Sequence, residues 1–312
     1  MTSVSNKEAI ITVVGFLGAG KTTLLKHLMT GYLDQGWNPF VILNDYENAN
    51  LDAQQFVEQL APQHIRALSG SCICCSGIHE LRAYVNSIPE REKGITLIEA
   101  NGTSDACSLM GFLGVGLEER FLPPVQVSVV DVKNWQTRGE HNELEANQIQ
   151  VSSLLVLTHV ESVSAERKAQ VTAHLRELNP LAKVIEMDQV EAALLPELAP
   201  SANEAQKLDH LKAHWSSASA DLPPLPNEVA IHAICAALPK SILRVKGCTQ
   251  LGEDTHYTFF ERTPDGKVRI KPFYGIPTTG TKLLAVGPGS EPALLNKLIT
   301  ESVPTENSLS PN

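Results

Sequence analysis

Residues 15–22, GFLGAGKT, set glycines, a lysine and a hydroxyl at the spacing G-x-x-x-x-G-K-[ST]. Gly15, Gly18 and Gly20 let a backbone wrap closely around an anion and turn its N–H groups inward. A helix starting near Lys21 adds its positive end to the same anion. Lys21 then reaches β- and γ-phosphates, and the Thr22 hydroxyl ligates Mg²⁺. Such a loop needs an acidic partner for the metal at the end of another strand. Glu99 supplies one near the end of the apolar run ITLIEA (95–100), and Gly102 follows three residues later. A glycine there can offer its N–H to a γ-phosphate. Asp131, closing VQVSVVD (125–131), is a second acidic strand end, better suited to a turn.

The second chemical cluster is GSCICCSG (70–77), which holds Cys72, Cys74 and Cys75, half of the six cysteines. A disulfide between neighbours such as Cys74 and Cys75 forms only with strain. The segment MTSVSNKEAI shows no basic stretch ahead of a long apolar run, so a cytoplasmic location with reduced thiols is expected. Thiolates select soft or borderline metals, zinc above all. Gly70 and Gly77 permit a bend that gathers the trio, and three ligands leave a fourth position open. Asp45 and His79 are candidates for that position. An unmetallated buried cluster and a redox pair are the alternatives. Cys107, Cys235 and Cys248 are isolated and read as core residues.

Composition narrows the partners. The net charge of −10 gives no electrostatic footprint for nucleic acid and no basic patch for an anionic membrane. No stretch approaches the ~20 apolar residues of a membrane span.

The elements that must position these residues alternate. AIITVVG (9–15), PFVILN (39–44), ITLIEA (95–100), VQVSVVD (125–131) and LLVLT (154–158) are continuous apolar runs, as in strands buried on both faces of a parallel sheet. Helical spacing recurs at 21–33 and at 164–178, the latter opening on a serine cap. The expectation over 1–198 is therefore a P-loop, doubly wound, mostly parallel α/β domain. Residues 199–228 are rich in Ala, Ser, Pro and charge and read as a linker with a short helix at 203–214. Residues 229–300 read as a smaller α+β domain, with helices at 229–238 and 290–300 around four β-like runs. Residues 301–312 read as a disordered tail.

GFLGAGKTT, ILNDYENANLD (42–52), LSGSCICCSG (68–77) and LIEANGTSD (97–105) together resemble the CobW family of P-loop GTPases. NQIQVSSLLVLTHVE (147–161), the NP-L-A stretch at 179–182 and LPKSILRVKG (238–247) extend the resemblance over nearly the whole chain. The resemblance implies GTP hydrolysis with Mg²⁺, and handling of Zn²⁺ or Co²⁺ for a client metalloprotein. It implies phosphate contacts from Gly15, Gly18, Ala19, Gly20, Lys21, Thr22, Thr23 and Gly102. It also makes the C-terminal domain the client-facing or homodimerising element.

The family's base-reading N-K-x-D stands here as Thr158-His159-Val160-Glu161. Glu161 keeps the carboxylate, His159 can stack, and Thr158 keeps one hydroxyl of the amide's two-sided bonding. Guanine is the expected base, with adenine or relaxed use the alternative. Asn44 and Asp52 are kept, while Asp45 and Glu47 stand where Glu and Gly are usual, and only His210 and His214 fall in the usual His-rich stretch. The competing readings are a small-molecule kinase with a structural zinc and a nucleotide sensor without turnover. No arginine finger is legible in cis, so slow intrinsic turnover is expected.

Overall fold

The computed structural model describes residues 7–44, 53, 56, 60–68, 78–202, 217–242, 244–263, 266–273, 276–277, 280–286 and 290–302. They fall into two compact units.

The first unit is built on seven strands: β1 (Ala9–Val14), β2 (Asn38–Asn44), β3 (Ile65–Leu68), β4 (Gly94–Glu99), β5 (Val125–Asp131), β6 (Leu154–Thr158) and β7 (Lys183–Glu186). They pair in the order β3-β2-β4-β1-β5-β6-β7, each pair parallel. The five continuous apolar runs are the five central strands. β1, β4, β5 and β6 are buried at every residue, which is why their sequences do not alternate. The two edge strands escaped the sequence reading. IRAL and KVIE are four residues each and half-exposed, too short and too mixed to stand out. β1 lies between β4 and β5, so the crevice at a doubly wound sheet's switch point falls at the carboxyl ends of these three strands.

Helices α1 (Lys21–Asp34), α2 (Ile78–Ser87), α3 (Ala106–Leu113), α4 (Asn142–Gln150) and α5 (Ala165–Leu178) complete the unit. α1 buries Leu24, Leu25, Leu28, Met29 and Tyr32, the face its helical spacing announced. The Ser164 side chain caps α5 by accepting from the Arg167 N–H. Leu81 and Val85 of α2 and Leu109 and Leu113 of α3 pack with Ile10, Val14, Ile42 and Ile98 of the sheet. Asn179, in the NP-L-A stretch, holds the turn from α4 into β6. Its Nδ2 lies 2.9, 3.1 and 2.8 Å from the carbonyls of Ile149, Gln150 and Ser152.

The second unit is a five-stranded antiparallel sheet in the order β11-β10-β9-β12-β8. Its strands are β8 (Ser217–Asp221), β9 (Arg244–Gln250), β10 (Tyr257–Arg262), β11 (Val268–Phe273) and β12 (Lys282–Val286). α6 (Glu228–Ala237) and α7 (Pro292–Ser302) pack on it through Ile231, Ile234, Leu295 and Ile299. The smaller α+β architecture is as expected, with two corrections to its bounds. β8 lies inside the stretch read as a linker. Its sequence SASAD has no large apolar residue, yet its backbone pairs with β12 and Ala218 and Ala220 are buried. α7 also runs two residues past the expected tail boundary at 300. The expected helix at 203–214 and residues 303–312 lie outside the described residues. Among the described residues no helix is long and apolar enough to cross a membrane.

Candidate nucleotide-binding site

The loop between β1 and α1 is shaped by its glycines. Gly15 has φ 143°, and a Cβ on it would stand 2.5 Å from the Val129 carbonyl oxygen of β5. No side chain fits where the loop crosses the neighbouring strand. Gly18 and Gly20 have φ of 80° and 104°. Gly20 is the N-cap of α1 and brings no side-chain acceptor, so no side chain of its own competes for the helix's first N–H groups. The Lys21 Nζ folds back across the loop and donates to the Gly15 carbonyl at 2.9 Å. The lysine is 4% exposed, held within the loop that would receive phosphate.

The Thr22 hydroxyl lies 3.2 and 3.3 Å from the two Glu99 carboxylate oxygens. Glu99 ends β4 and is buried. A hydroxyl and a carboxylate in contact at the mouth of an anion loop are hard oxygen donors, the set Mg²⁺ takes alongside substrate phosphates. The pair fits that ion. Beyond Glu99, residues 101–105 are buried throughout. A Cβ on Gly102 would lie 2.5 Å from Leu17 Cδ2 and 2.8 Å from the Leu17 backbone nitrogen, so this turn lies directly against the phosphate loop.

Thr158 ends β6, and its hydroxyl lies 2.8 Å from the Ala19 carbonyl and 3.1 Å from that of Val130. One hydroxyl proton serves one of them at a time. The shortened side chain still ties the base-side loop to the phosphate loop. His159 takes the left-handed conformation at φ 56°, and Glu161 sits in the single turn that follows. Ala19, Gly20, Thr23, Thr158, His159 and Glu161 line one cavity of about 700 Å³.

His27, Met187 and Asp188, also on its wall, were missed from sequence. His27 lies four residues after Thr23 on α1, a spacing that puts both on one helix face and was a usable signal. Its Nε2 donates to the Val190 carbonyl at 2.7 Å. Met187 and Asp188 follow β7, the strand that was not recognised.

Thr22 and Glu99 are in contact, and Lys21 lies bonded within the same loop. Cys72, Cys74, Cys75 and Asp45 lie outside the described residues, and among the described residues no three His, Cys, Asp or Glu side chains form a metal site. His79 is exposed on α2 with its Nδ1 2.7 Å from an Arg82 nitrogen. Asp131 serves its turn: Oδ1 accepts from the Asn134 N–H at 3.2 Å, and Oδ2 accepts from Asn134 Nδ2 at 2.7 Å and Arg138 at 3.2 Å. The same Arg138 stands 4.7 Å from the Phe16 ring of the phosphate loop and 3.7 Å from Glu145. Burial pushes the Glu145 carboxyl up to about 7, against the pull of Arg138 and of the Gln136 N–H.

A glycine-shaped loop after β1, a Lys-Thr pair opening α1 and an acidic end to β4 define a P-loop nucleotide-binding domain. Residues 9–186 match the model of the CobW/HypB/UreG nucleotide-binding domain, and the chain belongs to that family. It is 28% identical over 171 residues to the zinc chaperone YjiA of Escherichia coli K12, covering 52% of each chain. It is 23% identical over 288 residues to the zinc chaperone CobW of Pseudomonas aeruginosa, covering 77% of this chain and 76% of that one. The Zn(II)-bound YjiA GTPase structure from E. coli aligns with a TM-score of 0.42 at 14% identity, over 96% of this chain and all of that one. The matched region spans about half the length of the E. coli relative.

Proposed function

We propose that this chain is a GTPase that handles a transition metal, zinc or cobalt, for a client metalloprotein in the cytoplasm. The observation that carries the nucleotide half is the contact of the Thr22 hydroxyl with the buried Glu99 carboxylate beside a loop whose lysine is already in place. The loop N–H groups and the start of α1 bind phosphate. Lys21 exchanges the Gly15 carbonyl for a phosphate oxygen. Thr22 and Glu99 would hold Mg²⁺, which neutralises charge on the β- and γ-oxygens when bound. Glu161 accepts from the N1–H and the amine of guanine, and His159 packs on the base.

The relatives named as zinc chaperones support the metal half. The cargo ligands in this reading are the thiolates of Cys72, Cys74 and Cys75, with Asp45 as the fourth. They fall in sequence between β2 and β4, among connections that move with the γ-phosphate in GTPases. Zn²⁺ affinity measured with a non-hydrolysable GTP analogue and with GDP tests the coupling. The affinities should differ, and Cys74→Ser should weaken both. Equal affinities would remove the coupling from the account.

A further inference from the structure

Two adjacent side chains of α4 hold the segment that follows Glu99. The Asn147 Oδ1 accepts from the Ala106 N–H at 3.2 Å, where α3 begins. The Gln148 Nε2 donates to the Gly102 carbonyl at 3.1 Å and to the Ser104 carbonyl at 3.2 Å. Both hydrogens of one amide are therefore spent on a single turn. Among the described residues the buried Gln148 Oε1 accepts no hydrogen bond, so the two carbonyls orient the amide.

The glutamine is itself anchored. Its backbone carbonyl accepts from the Gln126 Nε2 of β5 at 2.9 Å, and the residue is 1% exposed. On its other side the turn meets the phosphate loop through the Gly102–Leu17 contact. Glycine would otherwise leave this turn free to rotate. Two donated hydrogens remove that freedom by pinning the peptide groups that follow Gly102 and Ser104.

We propose that Gln148 is a positioning residue that clamps the Gly102–Ser104 turn against the phosphate loop, and so sets how well the site distinguishes a nucleoside triphosphate from a diphosphate. The proposal rests on the GTPase reading above. Gln148 touches neither phosphate nor metal; it acts through the turn. On that reading the Gly102 N–H faces the γ-phosphate, so loosening the turn costs triphosphate contacts and spares diphosphate ones.

Gln148→Met keeps length and apolar bulk without donors. Gln148→Glu keeps shape and sets an oxygen against both carbonyls. Both are compared with wild type in the full chain, so that one folded variant suffices, with thermal unfolding as the control. The first readout is amide exchange of residues 101–105 without nucleotide. It should quicken about tenfold or more, as expected for two lost hydrogen bonds, while β1 and β5 amides stay unchanged. Unchanged exchange at 101–105 overturns the clamp.

The second readout is affinity for fluorescent GDP and for a non-hydrolysable GTP analogue, with kcat and KM for GTP. GDP affinity should stay within about twofold, while analogue affinity and kcat fall about tenfold. A parallel fall in both affinities, or unchanged analogue affinity and kcat, overturns the discriminating role. Absence of GTP binding by the wild type would instead overturn the GTPase reading, and the exchange result would still decide the clamp.

Discussion

Thr158→Val isolates one hydrogen bond on which the junction of base loop and phosphate loop depends. Valine has nearly the shape of threonine, so no cavity opens at a position that is only 7% exposed. What disappears is a hydroxyl 2.8 Å from the Ala19 carbonyl and 3.1 Å from that of Val130. A buried acceptor left without its donor costs about 1–3 kcal/mol. One hydroxyl donates one proton, so a single bond is lost and the lower part of that range applies, about 1–1.5 kcal/mol. A unit of this size loses about 2–4 °C of midpoint per kcal/mol, which gives a fall of about 2–6 °C. Ala19 belongs to the phosphate loop, so nucleotide affinity should also drop, by up to about tenfold. Thermal unfolding and titration with fluorescent GDP read the two effects, and Thr158→Asn, which restores a donor, should recover part of each. An unchanged midpoint together with unchanged affinity in Thr158→Val would refute the tie between the loops.

Gly15→Ala should abolish measurable nucleotide binding, since its Cβ needs about 0.9 Å more room than the 2.5 Å available and sits at φ 143°. Binding retained at wild-type strength would contradict that loop geometry. Glu145, pushed up to about 7 by burial, holds a proton in the folded chain that the unfolded chain releases near 4.5. This contribution to stability is full below about pH 4.5 and is lost as the pH rises through about 7. Midpoints measured from pH 5 to 8 should therefore fall less steeply in Glu145→Gln than in wild type, and parallel curves would remove Glu145 as the cause.

The central strands were legible because burial on both faces leaves an unbroken apolar run, as in VQVSVVD. β3 and β7 were not, because a short edge strand mixes exposed and buried positions. β8 was not, because small residues can pair by backbone alone, and Ala218 and Ala220 carry no signal of burial. The phosphate loop was legible because its chemistry depends on local spacing, and Glu99 because it ends an apolar run. His27, Asp188 and Gln148 were not recognised, because their roles depend on which strand ends and turns the sheet order brings together. Thr158 could be placed by register, but its bond to Ala19 is a tertiary fact. Its hydroxyl does part of the work expected of an asparagine, and spacing alone does not reveal that.

The central proposal is that this chain hydrolyses GTP at the 15–22 loop with Mg²⁺ held by Thr22 and Glu99. Phosphate release from GTP, measured for wild type and Lys21→Ala with Mg²⁺ and with chelator, tests it most directly. The account predicts slow turnover without any acceptor in the wild type, lost in Lys21→Ala and lost on chelation. Equal release from wild type and Lys21→Ala, or turnover indifferent to Mg²⁺, would contradict it.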